Sequence, residues 1–423
     1  MQRAAAPGSA PSSGDAGGWR QLASLTVLVS ALGYFVDIYD IVLFNVVRVP
    51  SCRELGIDDA RALTLLDWQM AGMLLGGFAW GLLGDRIGRK AVLFGSILTY
   101  SLANLANAAV GLPGVPGDPY TQYALLRVVA GFGLAGELGA AITLVSETTH
   151  PRWRGYATAL VAAIGIAGAA AAVAVAKLTD WRTAYVVGGL LGLALLALRL
   201  RVLESALFAD VVASGVARGS LRLLFSERRR VARLLWCTVI GLPLWYMVGM
   251  VAFRADKLGE AMGAAERADP AFATLACYLG LIVGDLAAGC LSQWLRSRRR
   301  AVVLFLAAAA AICVVILTRT APSPALLYGG AAALGVACGY WAVFVTIAAE
   351  QFGTNLRSTV TGIVPNLVRG AVPLWSWLIA SAAPAVGLVH ATLGIGLAVL
   401  ALALLAVLLL RETYAVPLDY IER

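Results

Sequence analysis

Charge is what this chain has least of. Asp, Glu, Lys and Arg supply 13% of its 423 residues, about half the quarter found in ordinary soluble domains. Too few charged side chains exist to cover a soluble surface. Histidine occurs twice, at His150 and His390, far apart in sequence and with no cysteine motif beside either. They supply neither a metal cage nor a nucleophile–base constellation, so an enzyme, a metal site and a cofactor are all unexpected. The six cysteines (Cys52, Cys237, Cys277, Cys290, Cys313 and Cys338) contain no CxxC spacing and mostly fall in apolar runs, where they read as small buried hydrophobes. The first 18 residues, MQRAAAPGSAPSSGDAGG, lack the apolar stretch of a signal peptide and are expected to form a disordered tail. No basic patch interleaved with aromatics stands in a polar segment, which argues against nucleic acid as the partner of a chain of net charge +9.

What the chain has is long apolar runs. Hydrophobic residues make up 60% of it, and about 20 of them in helical register cross a bilayer. Twelve spans are predicted, near 21–48, 67–85, 91–111, 120–146, 155–176, 182–199, 234–255, 270–292, 301–318, 323–348, 358–382 and 384–410. With the N-terminus inside, the cytoplasmic segments hold 22 Lys and Arg, the external ones nine, and Arg127 and Arg369 are intramembrane. That bias places both termini in the cytoplasm of an all-α protein embedded in a lipid bilayer. The first span is expected to act as an uncleaved insertion signal.

An internal repeat divides the spans. Glu147 and Arg154 recur as Glu350 and Arg357 at the same spacing, each time across a helix–loop–helix junction. More loosely, GLLGDRIGRKAVLF from Gly81 faces GCLSQWLRSRRRAVVLF from Gly289. The expected organisation is a tail at 1–18, a six-helix bundle at 19–199, a cytoplasmic linker at 200–233, a second bundle at 234–411 and a tail at 412–423. Two homologous bundles with a midplane site between them are a secondary-transporter plan.

These motifs reach a family. GLLGDRIGRK at 81–90 resembles the loop 2–3 signature of the major facilitator superfamily. RVVAGFGLAGE at 127–137 resembles its span-four signature, and Glu204, Ser205 and Phe208 resemble the motif after span six. The resemblance implies two pseudo-symmetric six-helix bundles that work by alternating access, as a functional monomer, in a bacterial inner membrane. It also implies a gate in which Gly84, Asp85, Arg86, Gly88 and Arg89 latch the halves, with Glu147/Arg154 and Glu350/Arg357 as matching ion pairs. In the second half Gln293 stands where Asp85 would, so its latch should be weaker or lean on Glu350/Arg357. GYFVDIYDI at 33–41 is similar to the first span of phosphate:proton and related metabolite:proton symporters, and AGELGAA at 135–141 to sialate and carboxylate symporters. Leu138 follows Glu137 where the phosphate branch has an aromatic residue, and residues 161–175 carry no polar ligand, which places phosphate in doubt. IGIAGAAAAV in span five contains no proline, unlike the drug:proton antiporters.

The intramembrane polar residues are the candidate site. Asp37 and Asp40 are three apart on one helix face. Two carboxyls in a low dielectric repel, so one of them is expected to hold a proton near neutrality. Asp37, Asp40 and Glu137 are therefore the candidate proton-coupling residues, with ion pairing to Arg127 as the structural alternative. Sodium would need converging oxygens, and span one has no Gly/Pro break around Asp37 to expose carbonyls. Arg127 and Arg369 are the candidate anion receptors, because a guanidinium presents a bidentate fork. Arg369 lies between Pro365 and Pro373, where the helix is expected to break, and Asn366 lies one turn before it. Trp245, Tyr246, Tyr340 and Trp341 are candidate cavity walls or core aromatics. The expected partners are a small-molecule substrate and protons. The substrate is expected to be an organic anion, carboxylate before phosphate and phosphate before sugars, with export of drugs or siderophore-like compounds as a rival.

Overall fold

The computed structural model describes residues 24–87, 89–136, 154–206 and 224–414, and among them there are helices and no strands. The first half consists of α1 (Leu25–Glu54), α2 (Asp59–Ile87), α3 (Arg89–Asn107), α4 (Pro119–Leu134), α5 (Arg154–Leu178) and α6 (Trp181–Ala206). The second begins with α7 (Arg228–Tyr246), which runs on through a π-helical turn (Met247–Ala252) into the short α8 (Ala255–Ala261). It continues with α9 (Pro270–Trp294), α10 (Arg298–Leu317), α11 (Pro324–Cys338), α12 (Trp341–Glu350), α13 (Thr354–Gly370), α14 (Val372–Val386) and α15 (Leu388–Leu409). α11 with α12 and α13 with α14 each form one interrupted span, while α8 stays outside the count, so the two halves supply twelve spans. Among the described residues, nine helical stretches are long and apolar enough to cross a membrane.

Local chemistry fixes the helix starts. Asp118–Pro119, Asp269–Pro270 and Ser323–Pro324 each pair a capping side chain with proline at the first helical position. The cap accepts an amide that the helix cannot satisfy, and proline has no amide to leave orphaned. All three mark the same end of the molecule, opposite the end that carries Ser24 and Tyr414. The latter is called the terminal end below, and the former the far end.

Glycine then brings helices together at backbone distance. A Cβ on Gly72 or Gly76 would fall 2.2 or 2.3 Å from the Val128 or Phe132 carbonyl oxygen, so α2 packs directly on α4. In the second half, Gly280 and Gly284 of α9 meet Ala332 and Val336 of α11 in the same way, at 2.1 and 2.3 Å. Both pairs are G-x-x-x-G, the small-residue interface favoured where lipid removes any hydrophobic drive for helices to associate. Their offset equals that of Gly81 and Gly289, so the repeat read from the loops extends into the packing.

Three boundaries differ from expectation. α1 continues past residue 48 to Glu54, with Pro50 inside it. α6 extends to Ala206 and α7 starts at Arg228, which shortens the connector at both ends. The helix around Arg369 breaks only at Ala371, ahead of Pro373, while Pro365 is absorbed within α13.

Candidate anion site and the latch between the halves

Arg369 sits at the centre of the second half's contribution. Its side chain is 1% exposed, and its Cζ lies 5.4 Å from the Trp245 ring and 5.5 Å from the Trp341 ring. Both are within the range of cation–π attraction. α7 delivers Trp245 just before its π-turn, a feature common at functional sites. α12 delivers Trp341 as its first residue, directly after the break in the tenth span. Among the described residues, Nε and Nη1 of Arg369 and Nε1 of Trp341 are buried donors with no acceptor. Buried polar groups are normally satisfied, and an unpaired buried cation is costly. Three unused donors beside two indole faces make this a candidate receptor for an anion.

The other expected site residues separate. Asn366 donates Nδ2 to the Ala135 and Gly362 carbonyls, both at 2.9 Å, and abuts Gly77. It joins the halves. Tyr246 donates to the Thr392 carbonyl at 2.5 Å and Tyr340 to the Ile240 carbonyl at 2.9 Å, so both phenols face the second half's own core. Arg127 is taken up by Asn104 Oδ1 at 3.1 Å and Gln69 Oε1 at 3.4 Å, with its Cζ 4.9 Å from the Tyr185 ring. Two side-chain amides and the Tyr185 ring therefore hold the Arg127 guanidinium. The two aspartates are 0% and 2% exposed. Asp40 Oδ1 packs on Gly188 of α6, 2.7 Å from where a Cβ would stand. Glu137, Glu147 and Gly88 lie outside the described residues, as do the side chains of Asp85, Arg86, Arg89, Arg154 and Arg357 and the surroundings of Gly84. Glu350 forms an ion pair with Arg298 at 3.6 Å.

Several site residues were not expected from the sequence. Tyr34 of α1 is buried within electrostatic reach of Arg369, Asp285 and Asp37. Tyr278 is within reach of Arg369 and Tyr34. Asp285 of α9, a lone acid in an apolar span, accepts the Ala342 amide at 3.0 Å. Only its position mid-span could have flagged it.

Among the described residues, the ion pairs that join the halves all lie toward the far end. Arg48, in the last two turns of α1, meets Asp256 of α8 at 3.0 Å, with both side chains at most 2% exposed. Asp59 of α2 receives Lys257 at 2.6 Å and Arg267 at 3.2 Å, and Arg267 also reaches Asp256 at 3.0 Å. Lys177 pairs with Asp269. Deeper in, Asp67 accepts Ser376 at 2.6 Å and lies 3.5 Å from Arg254. The Lys257 hydrogen bond holds the Asp59 carboxyl below the usual carboxylate range, assisted by the Lys257 and Arg267 charges. The hydrogen bond that Arg267 donates to Asp256 raises Arg267 in turn.

Residues 30–372 match the family model of the Major Facilitator Superfamily. The chain belongs to that superfamily. It is an integral membrane transporter and not an enzyme. It is 34% identical over 191 residues to the 3-(3-hydroxy-phenyl)propionate transporter of Escherichia coli K12, covering 42% of this chain and 43% of that one. It is 31% identical over 191 residues to the 4-hydroxybenzoate transporter PcaK of Pseudomonas putida (44% and 41%). It is 28% identical over 166 residues to the niacin transporter NiaP of Acinetobacter baylyi (38% and 36%). Each of these matches spans under half of the relative's length. In fold the transporter resembles the proton:xylose symporter XylE, with a TM-score of 0.68 at 15% identity over 93% of this chain and 97% of that one.

Proposed function

We propose that this transporter moves a small aromatic monocarboxylate by alternating access, in symport with protons. The observation that carries the reading is Arg369, buried between two indoles with donors unused. A carboxylate takes the guanidinium fork in two charge-assisted hydrogen bonds, and an aromatic ring on that carboxylate stacks on the flanking indoles. A sugar would leave the cation unneutralised. Phosphate would leave the two indole faces without an apolar group to cover. The names of the three curated relatives point to the same class, since hydroxyphenylpropionate, hydroxybenzoate and niacin are all carboxylates on an aromatic ring.

Proton coupling runs through Asp37 and Asp40, with Glu137 as a further candidate. Asp37 and Asp40 lie buried in the first half, and a carboxylate charge is costly inside a membrane unless a proton or a partner offsets it. In a bacterial inner membrane with both termini cytoplasmic, the ion pairs at the far end close the external side. Gly84, Asp85, Arg86, Gly88 and Arg89, with the Glu147/Arg154 and Glu350/Arg357 pairs, then work the cytoplasmic gate.

Proteoliposomes with an alkaline interior provide the test. Labelled benzoate should accumulate, with 4-hydroxybenzoate competing and glucose and inorganic phosphate silent. Uptake of glucose or phosphate without benzoate competition would overturn the substrate class. Benzoate accumulation that ignores the pH gradient would overturn the coupling.

A further inference from the structure

The tenth span is broken in the middle of the membrane. α11 ends at Cys338, Gly339 and Tyr340 leave helical geometry, and α12 starts at Trp341. The first amides of a helix have no carbonyl one turn behind them. In hydrocarbon no water replaces that carbonyl, so each bare amide costs several kcal/mol. Asp285 meets this need, since its Oδ1 accepts the Ala342 amide at 3.0 Å, with the Trp341 amide beside it. Backbone crossing sets its reach. A Cβ on Gly339 would fall 2.4 Å from the Gly284 Cα and 2.6 Å from the Asp285 nitrogen. No side chain fits between α9 and the break.

We infer that Asp285 is the positioning residue of the anion site, and that by capping α12 it fixes the Trp341 indole against Arg369. This rests on the anion-site reading above. Two further observations support it. At the offset that relates Gly72 and Gly76 to Gly280 and Gly284, the counterpart of Asp285 is Gly77, which packs on Asn366. Helix packing at this level therefore requires no acid. Asp285 also forms no ion pair with Arg369 among the described residues, because its charge is turned to the amides of α12. The guanidinium is left for substrate. Trp341 and Arg369 occupy separate helices, so their relative position depends on where α12 begins.

Benzoate counterflow with the full-length protein in liposomes tests this. Asp285→Ala should raise the KM for benzoate about tenfold or more while changing the maximal exchange rate little. Asp285→Asn keeps a capping oxygen and should stay within about threefold of the parent KM. The pair Asp285→Ala with Trp341→Phe should be no worse than Trp341→Phe alone, since both remove one function. A parental KM in Asp285→Ala, or additivity with Trp341→Phe, would overturn the inference. An Asn variant as impaired as the Ala variant would assign a role to the charge rather than the cap, and equally overturn it. Should Asp285→Ala fail to fold, the KM of the Asn variant decides: within about threefold of the parent it supports the cap, and beyond that it overturns it. Arg369→Gln separates the two claims. If it keeps the parental KM, the anion site itself is wrong. If it loses affinity and Asp285→Ala does not, only the positioning role falls.

Discussion

At the scale of single residues, the arginines of this transporter do different work because their neighbours differ. Arg127 is bound by two side-chain amides and a tyrosine ring, whereas Arg369 has rings on its flanks and unused donors. Arg369→Lys keeps the charge but loses the planar fork and the stacking, and these substitutions are not conservative at such sites. Benzoate affinity should fall at least tenfold, about 1.4 kcal/mol, in a titration of intrinsic tryptophan fluorescence. On the proton side, Asp37→Asn and Asp40→Asn should each abolish accumulation driven by a pH gradient and leave benzoate counterflow at equal pH measurable. Full gradient-driven accumulation in the double variant would remove both aspartates from the coupling path.

Glycine decides the spacing of the elements. α9 and α11 touch through backbone at Gly280 and Gly335, where a Cβ would fall 2.1 Å from the opposing carbonyl oxygen. Gly280→Leu must separate the two helices, at an overpacking cost of about 1–3 kcal/mol or more. It should lower the melting temperature in detergent and weaken benzoate binding together, because α9 carries Asp285 and α11 leads into the break before Trp341. Gly289→Ala is the control on the same helix. It has open space around its Cβ position, and alanine reduces the freedom of the unfolded chain, so stability should hold or rise slightly. Equal losses from both substitutions would contradict a glycine-set interface.

At the scale of the whole molecule, ion pairs toward the far end join the two halves. Arg48 and Asp256 are buried together, and removing one partner of such a pair costs about 3–5 kcal/mol because the other charge is left stranded. Asp256→Asn should therefore shift the transporter toward opening at the far end. In labelling experiments Thr274→Cys, buried in this structure, should become more accessible. Acid should act in the same direction through Asp59. Its carboxyl is depressed in the latched state, so its contribution is complete above the ordinary carboxylate pKa and is lost as pH falls through the depressed value. Labelling at Thr274→Cys should rise below about pH 4, the ordinary aspartate range, in the parent and be indifferent to pH there in Asp59→Asn. Labelling that does not respond to acid would show that Asp59 is not part of the latch.

The apolar runs, the basic bias of one set of loops and the Glu…Arg repeat determined the membrane class, the span count and the two-half plan, because each is a periodic or compositional property that survives without coordinates. Arg369 was also legible, since a permanent cation in an apolar span between prolines has few harmless explanations. The tertiary structure decided the rest. Of four aromatic residues adjacent in pairs along the chain, it turned Trp245 and Trp341 toward Arg369 and buried the phenols of Tyr246 and Tyr340 in their own half, a choice that helix phase and the break before Trp341 make together. Arg48 read as the polar end of a span, yet α1 runs on to Glu54 and inserts it against Asp256. Asp285 was one acid among apolar neighbours until the break in the tenth span brought the Ala342 amide to it. Sequence records which side chains are available. Which buried charge meets an amide, a ring or an opposite charge depends on helices distant in the chain, and only their packing brings those partners within hydrogen-bonding range.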